Sequence, residues 1–166
     1  PGSNRIYLAW VDGFDNPATN GSIVGHANPP FAENVIVHGG SQSMPFSYDN
    51  TVGKSEATLT LTDLRNWTQN DVDTLTIWYL GDSANAAEPM YAALNGSAAV
   101  TNPNPNAAQV GSWAQWNIPL QSFADLGINL ANVNSITLGF GNRNNPTAGG
   151  AGMMYFDDIR LNAPPQ

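Results

Sequence analysis

The stretch that decides the fold is DTLTIWYL, residues 73–80, in which apolar side chains occupy alternate positions. Leu75, Ile77 and Tyr79 share one face of an extended chain, and Trp78 falls on the opposite face. Because successive side chains of a β-strand point to opposite faces, this alternation predicts a half-buried strand. We expect the odd-numbered face to lie in the core and Trp78 to point outward.

The same period of two recurs along the chain, and no segment of ten or more residues carries a helical stripe. Turn-rich segments of Gly, Pro, Asn and Asp separate the runs, and single helical turns are predicted at 63–67 and 121–126. Short strands joined by turns predict an all-β, antiparallel two-sheet β-sandwich, with jelly-roll and immunoglobulin-type arrangements both open. The predicted strands are 5–10, 34–38, 43–49, 56–62, 73–80, 89–94, 114–120, 134–141 and 153–161.

The composition describes one domain with an acidic, amide-rich surface. The chain has 166 residues with a net charge of −8 and no cysteine, and 21 of its residues are asparagine. We expect residues 1–161 to form a single β-sandwich and 162–166 to be a linker-like tail. The negative charge argues against nucleic acid and membrane surfaces as partners, whereas uncharged amides suit hydrogen bonding to neutral polyols. No signal peptide or membrane-spanning run is visible in the sequence.

Three predicted strands each direct an aromatic side chain outward by the same alternation. These are Trp78, Tyr91 and Trp113, the last preceding the strand whose core face holds Trp116, Ile118 and Leu120. A sugar ring has an apolar C–H face that packs on aromatic rings, so the three predict a stacking platform. The alternative is that long loops such as 12–33 or 98–112 cover these rings. The polar groups expected beside the platform are Asp82, Gln115, Asn117, Asn142 and Arg143.

The adjacent carboxylates Asp157 and Asp158 lie in the last predicted strand. Calcium takes six to eight oxygen ligands, so the pair is a candidate metal site together with oxygens from near the amino terminus. Strand alternation directs only one of two successive residues inward, so one aspartate is expected to bind and its neighbour to point away. His26 and His38 lack zinc spacing, and His38, before Gly39-Gly40, is interpreted as a hydrogen-bonding turn residue.

Nothing in the sequence points to catalysis. A glycosidase needs two carboxylates facing each other across the sugar, and the chain has only three glutamates, at 33, 56 and 88. There is no Gly-x-Ser-x-Gly elbow and no Gly-rich phosphate loop. We therefore expect a protein that is not an enzyme.

Three segments together resemble jelly-roll, galactose-binding-like carbohydrate-binding modules of bacterial polysaccharide-degrading enzymes. The segments are HGGSQSM at 38–44, WxxWNIPL at 113–120 and YFDDIRL at 155–161. The resemblance implies a secreted, non-catalytic β-sandwich that binds glucans, xylans or related plant polymers beside a catalytic domain in a longer chain. It also implies a structural calcium held by one of Asp157 and Asp158. The acidic first strand that supplies the family's other ligands has no counterpart here, where the chain begins PGSNRI.

Two further functions stay open from the sequence. A structural or adhesive module would use the outward aromatics as an interface with a neighbouring domain, and the Pro-rich end 163–166 as a spacer. A small hydrolase or lyase with a concave face is the third possibility.

Overall fold

The computed structural model of the chain describes residues 10–11, 20–28 and 31–164. Ten strands are present in this part, together with one short helix, α1 (Leu120–Ala124), and 3₁₀ turns at 50–52 and 107–109. The strands are β1 (Trp10–Val11), β2 (Ile23–Val24), β3 (Met44–Asp49), β4 (Lys54–Thr60), β5 (Thr74–Leu80), β6 (Met90–Leu94), β7 (Ala98–Thr101), β8 (Ala114–Pro119), β9 (Ser135–Gly141) and β10 (Ala151–Asn162).

The strands form two five-stranded antiparallel sheets. Sheet I has the order β1-β4-β9-β6-β7, and sheet II has the order β2-β3-β10-β5-β8. The β-sandwich prediction is confirmed. Because strands that are distant in sequence lie side by side, the two outer faces of the sandwich collect residues from opposite ends of the chain.

The apolar faces of the two sheets pack together as alternation predicts. On β5 the buried residues Leu75, Ile77 and Tyr79 face the core, as do Met90, Ala92 and Leu94 on β6 and Trp116, Ile118 and Leu120 around β8. Aromatic rings fill the centre, where Phe140 of β9 lies among Phe46 and Tyr48 of β3 and Phe156 of β10. Burial of this apolar surface is the main stabilisation of such a domain.

Four local predictions need correction. Residues 34–38 are an irregular surface segment rather than a strand, although Glu33 and Ser43 form an isolated bridge beside it. The sequence reading missed β2 and β7, and 63–67 contains bends and turns rather than a helical turn. The predicted strand 5–10 lies outside the described residues except for Trp10. By contrast, the helical turn predicted at 121–126 is confirmed by α1.

The last strand runs one residue into the predicted tail. The amide N–H of Asp73 donates to the carbonyl oxygen of Asn162, and the Asn162 side chain donates to Thr76 Oγ1 at 2.6 Å. Among the described residues, none of the helical segments has the length and apolarity needed to cross a membrane.

Candidate functional site

On the outer face of sheet II, Trp78 lies at the middle of a row of paired residues. It is opposite Gln115 on β8 and opposite Asp157 on β10. Directly opposed residues of antiparallel strands share a face, so these three side chains point to the same surface. Ala114 pairs with Tyr79, so Trp113, the residue before Ala114, lies across from Leu80, the residue after Tyr79. Trp78, Trp113 and Gln115 therefore lie on one face, as predicted.

His38 covers one face of Trp78. The two rings stack with centroids 3.7 Å apart and planes 17° apart, and His38 also meets Trp113 edge-on at 5.7 Å. A sugar ring has no access to the side of Trp78 that His38 occupies. Trp113 is half-buried, so this face does not present an open pair of tryptophans.

The two adjacent aspartates fasten the His38 turn to β10. Asp157 Oδ2 accepts the backbone N–H groups of His38 (2.9 Å) and Gly39 (3.1 Å), and His38 Nδ1 lies 2.7 Å from Asp158 Oδ2. We call Asp157, Asp158, His38 and Gly39 the His38 clasp. The interpretation of His38 as a hydrogen-bonding turn residue is confirmed.

A β-bulge lets both aspartates contribute to the clasp. The pairing of β10 with β5 shifts register between Asp157 and Arg160, and Asp158 has a φ of 45°. An extra residue in one strand interrupts the alternation of side chains, and aspartate tolerates this left-handed conformation better than most residues. The expectation that the neighbouring carboxylates point to opposite sides is therefore wrong. Steric crowding explains why residue 39 is glycine, since a Cβ there would lie 2.7 Å from Asp158 Oδ2.

The clasp uses every oxygen of the predicted calcium pair. Asp157 Oδ1 accepts the N–H of Asp158 at 2.8 Å, and Asp158 Oδ1 accepts from Arg160 at 2.8 Å. In the described part of the chain, no group of three His, Cys, Asp or Glu residues is placed to hold a metal ion. Calcium at Asp157 and Asp158 stays a prediction.

Because of the His38 clasp, we expect the folded protein to lose stability in acid. The hydrogen bond from His38 holds the pKa of Asp158 below its usual range, and the positive charge of Arg160 adds to the effect. A carboxylate with a lowered folded-state pKa stabilises the protein above its ordinary pKa, and this contribution is lost as pH falls below about 4. We expect the urea midpoint of the wild type to fall more steeply below this pH than that of Asp158→Asn.

The matched control for this measurement is Asp63→Asn, an exposed carboxylate whose side chain has no hydrogen-bond partner in the described structure. It should keep the acid dependence of the wild type. Parallel pH profiles for wild type and Asp158→Asn would contradict a stabilising role for the clasp.

On the outer face of sheet I, a buried tyrosine leads to an ion-pair network. Tyr91 pairs with Gly139 and Gly139 pairs with Glu56, so the Tyr91 ring crosses the glycine to reach the glutamate. Its hydroxyl donates to Glu56 Oε2 at 2.6 Å. A Cβ on residue 139 would lie 2.4 Å from Tyr91 Cζ, which explains the glycine. Burial and the Glu56 acceptor raise the pKa of Tyr91, so the phenol stays a neutral donor.

Glu56 balances two cations. Arg143 Nε lies 3.2 Å from Glu56 Oε2, and Lys54 Nζ lies 3.4 Å from Oε1. All three side chains are mostly buried, with 14–21% of each exposed. Partly buried ion pairs contribute little net stability, so the network orients the Arg143 guanidinium more than it stabilises the fold.

The guanidinium of Arg143 borders a pocket of about 320 Å³, which we call the Arg143 pocket. The Nε atom is held by Glu56, while the two terminal nitrogens have no hydrogen-bond partner in the described structure. Asn142 is exposed beside it. The lining residues are Pro89, Tyr91, Ala99, Thr101, Gly141, Asn142, Arg143 and Asn144. The pocket thus offers several free donors, and its lining in the described part of the chain includes no carboxylate.

The predicted platform is divided between the two sheets. β6, which carries Tyr91, belongs to sheet I, whereas β5 and β8 belong to sheet II, so the three aromatics do not lie on neighbouring strands. Tyr91 also has only 2% of its surface exposed. Its outward direction was correctly predicted, but the expectation of an accessible ring was wrong. Asn142 and Arg143 accompany Tyr91, and Asp82 lies in the loop after β5 on the sheet II side.

The sequence did not lead us to predict Glu56 and Tyr155 as candidate site residues. Glu56 and Lys54 are the two charged residues of β4, which is otherwise uncharged, and this signal was present in the sequence. Tyr155 alternates outward with Asp157 on β10 and pairs with Leu80 of β5.

Comparison with known proteins supports the jelly-roll form of the fold. No protein-family model matches the sequence, and no curated protein matches it. Among solved structures, a family 11 carbohydrate-binding module of Clostridium thermocellum in complex with a β-1,3-1,4-mixed-linked tetrasaccharide has a TM-score of 0.55 at 17% identity. That alignment covers 93% of this chain and 95% of the module.

Two more solved structures share the architecture. A family 30 carbohydrate-binding module of a Clostridium thermocellum cellulosomal cellulase has a TM-score of 0.56 at 14% identity, over 80% of each chain. An exo-β-agarase has a TM-score of 0.64 at 10% identity, over 98% of this chain and 25% of the agarase chain. At these identities the likeness shows the fold. The chain has the jelly-roll β-sandwich fold of carbohydrate-binding modules, as predicted.

Proposed function

We propose that the chain is a non-catalytic module that binds a neutral β-linked polysaccharide of the β-glucan or xylan class. The observation that carries the proposal is the Tyr91–Glu56–Arg143 network, which fixes a guanidinium at the mouth of the Arg143 pocket. Solved modules of the same fold include one in complex with a mixed-linked β-glucan tetrasaccharide, which supports this class of ligand.

The charge balance of the pocket favours a neutral ligand over an anion. Glu56 offsets one of the two cations beside it, Arg143 and Lys54, and the chain as a whole carries a net charge of −8, which disfavours an anion. The free nitrogens of Arg143 and the amide of Asn142 then donate to hydroxyl oxygens, which gives hydrogen bonds stronger than neutral pairs. A sugar hydroxyl also accepts and donates, so it matches both the amide and the hydroxyl of Thr101.

Among the described residues, none of those that line the Arg143 pocket is a carboxylate, which supports binding without catalysis. Glycoside hydrolysis uses two carboxyl groups on either side of the scissile bond. Glu56, which contacts Arg143, is already engaged by Tyr91, Lys54 and Arg143. A binding module assists a catalytic domain by holding it to the polymer. The match of this chain to a quarter of an agarase chain supports a multidomain parent.

Affinity electrophoresis in gels that contain soluble β-glucan, xylan or no polymer tests the proposal. Retardation in a polymer gel, with no release of reducing sugar over the same time, is the expected result. Running the gels with calcium and again with a chelator tests the predicted calcium. Unretarded migration on every polymer would overturn the proposal in favour of a structural or adhesive module, and release of reducing sugar would indicate a hydrolase.

A further inference from the structure

We propose a second saccharide site on the outer face of sheet II, in a groove that takes a neutral β-linked oligosaccharide. The groove lies between β5, β10 and the irregular segment 31–43, and we call it the sheet II groove. This inference rests on the proposed function, because it assigns the same class of ligand to the opposite face of the sandwich.

The sheet II groove has a half-buried apolar floor. Leu80, Met153 and Tyr155 form the floor, and Ile36 stands at one side with 36% of its surface exposed. Its volume is about 410 Å³, which is at least as large as the Arg143 pocket. An aromatic ring among aliphatic side chains provides the surface on which the C–H face of a pyranose packs.

Hydrogen-bonding groups at the rim are available for hydroxyls. Asp82 Oδ1 accepts the N–H of Ala84 at 2.8 Å, which leaves Oδ2 without a partner in the described structure. The Tyr155 hydroxyl likewise has none there. Burial raises the pKa of Tyr155, and the nearby charge of Glu33 adds to it, so the phenol is a donor at neutral pH. An acceptor and a donor beside an apolar floor suit a polyol.

The wall that carries Ile36 is held in place before any ligand binds. Glu33 Oε1 accepts the backbone N–H groups of Val35 (2.8 Å) and Ile36 (3.2 Å), and Ser43 Oγ donates to the Ile36 carbonyl at 2.6 Å. The His38 clasp secures the same segment further along. A fixed wall lowers the entropic cost of binding, and it keeps an isoleucine exposed that the fold does not need there.

Trp113 and Gln115 extend this surface along β8. Trp113 is level with Leu80, which lies in the groove, and its ring packs edge-on against His38. The Gln115 side chain is exposed and lacks a partner in the part of the chain that is described. Because the described residues that line the groove include one carboxylate, Asp82, and no cation, an anionic ligand is disfavoured and a neutral one fits.

Two sites on opposite faces give the module two independent contacts with polymer chains. The Arg143 pocket opens on sheet I and the groove on sheet II, so one continuous sugar chain of a few residues does not reach both. Binding at both faces links neighbouring chains, and avidity on an insoluble polymer then exceeds the affinity of either site.

Nuclear magnetic resonance of the ¹⁵N-labelled protein, titrated with the β-1,3-1,4-mixed-linked tetrasaccharide, tests the inference. The indole N–H of Trp113 and the side-chain amide of Gln115 are expected to shift, whereas the indole of buried Trp67, which donates to Leu64, serves as an internal reference. The same groove signals should still shift in Arg143→Ala. Tyr155→Phe, which keeps the ring, should weaken the groove titration at least threefold, and Gln69→Ala on a distant exposed loop should not.

Each outcome separates the two proposals. Shifts at Asn142 and Thr101 with none at Trp113 and Gln115 would overturn the second site and leave the proposed function intact. Shifts at the groove alone would support the groove and overturn the Arg143 pocket as the binding site. No shift anywhere with this tetrasaccharide or with xylotetraose would overturn both.

Discussion

Arg143→Ala is expected to weaken binding to the retarding polymer by about 10- to 100-fold, the cost of losing charge-assisted hydrogen bonds at about 1.5–3 kcal/mol. Glu56 and Tyr91 already hold the guanidinium in position, so little conformational entropy is lost when a ligand arrives. Affinity electrophoresis over a range of polymer concentrations gives the ratio of dissociation constants directly.

The conservative variant separates charge from geometry at this position. Arg143→Lys keeps the charge but loses the planar donor fork, so it should recover only part of the affinity. Arg65→Ala removes an arginine from the segment after β4, at the opposite end of that strand from Lys54, and it should bind as the wild type does. If Arg143→Ala keeps full affinity with an unchanged circular dichroism spectrum, the Arg143 pocket is not the site.

Phe140→Ala is expected to lower the free energy of unfolding by about 3–5 kcal/mol. Phe140 is fully buried and joins the sheets, because its ring from sheet I stacks on Tyr48 of sheet II with centroids 4.5 Å apart. It also contacts Phe46 and Phe156 at 5.6 and 6.3 Å. Removing the ring leaves a cavity between rigid sheets that cannot collapse onto it. Urea denaturation measures the loss.

Val35→Ala is the matched truncation at the surface. Its side chain is 81% exposed, so a change within about 0.5 kcal/mol is expected. A loss below about 1 kcal/mol for Phe140→Ala would show that the sheets close over the gap, contrary to the packing described here.

Alternation in sequence predicted the strands and their core faces well where the two faces of a strand differ in polarity. β5 is the clearest case, since Leu75, Ile77 and Tyr79 are buried and Trp78 is not. Alternation failed where a side chain binds nearby backbone groups, or where the residues of a strand are too small to show a pattern. The segment 34–38 is apolar enough for a strand, but Glu33 binds its first N–H groups and turns the chain outward. The short β7 consists of small residues that carry no pattern.

The candidate site was less predictable because alternation gives a direction but not a sheet. Nothing in the sequence near Tyr91 indicates that β6 pairs with β9 rather than with β5. That pairing places Tyr91 in sheet I, on the other side of the sandwich from Trp78 and Trp113. The bulge at Asp157 and Asp158 was equally invisible, because it depends on a turn more than a hundred residues away. Long-range pairings determine both features, and a single sequence does not record them.

The position of β10 has a consequence for how the domain is made on the ribosome. It is the last strand in the described chain, yet it lies at the centre of sheet II between β3 and β5. Until residues 151–162 leave the ribosome, the edges of β3 and β5 stay unpaired and exposed to other chains. Folding must therefore wait for the end of synthesis of this region, which makes the nascent domain a client for factors that shield open strand edges.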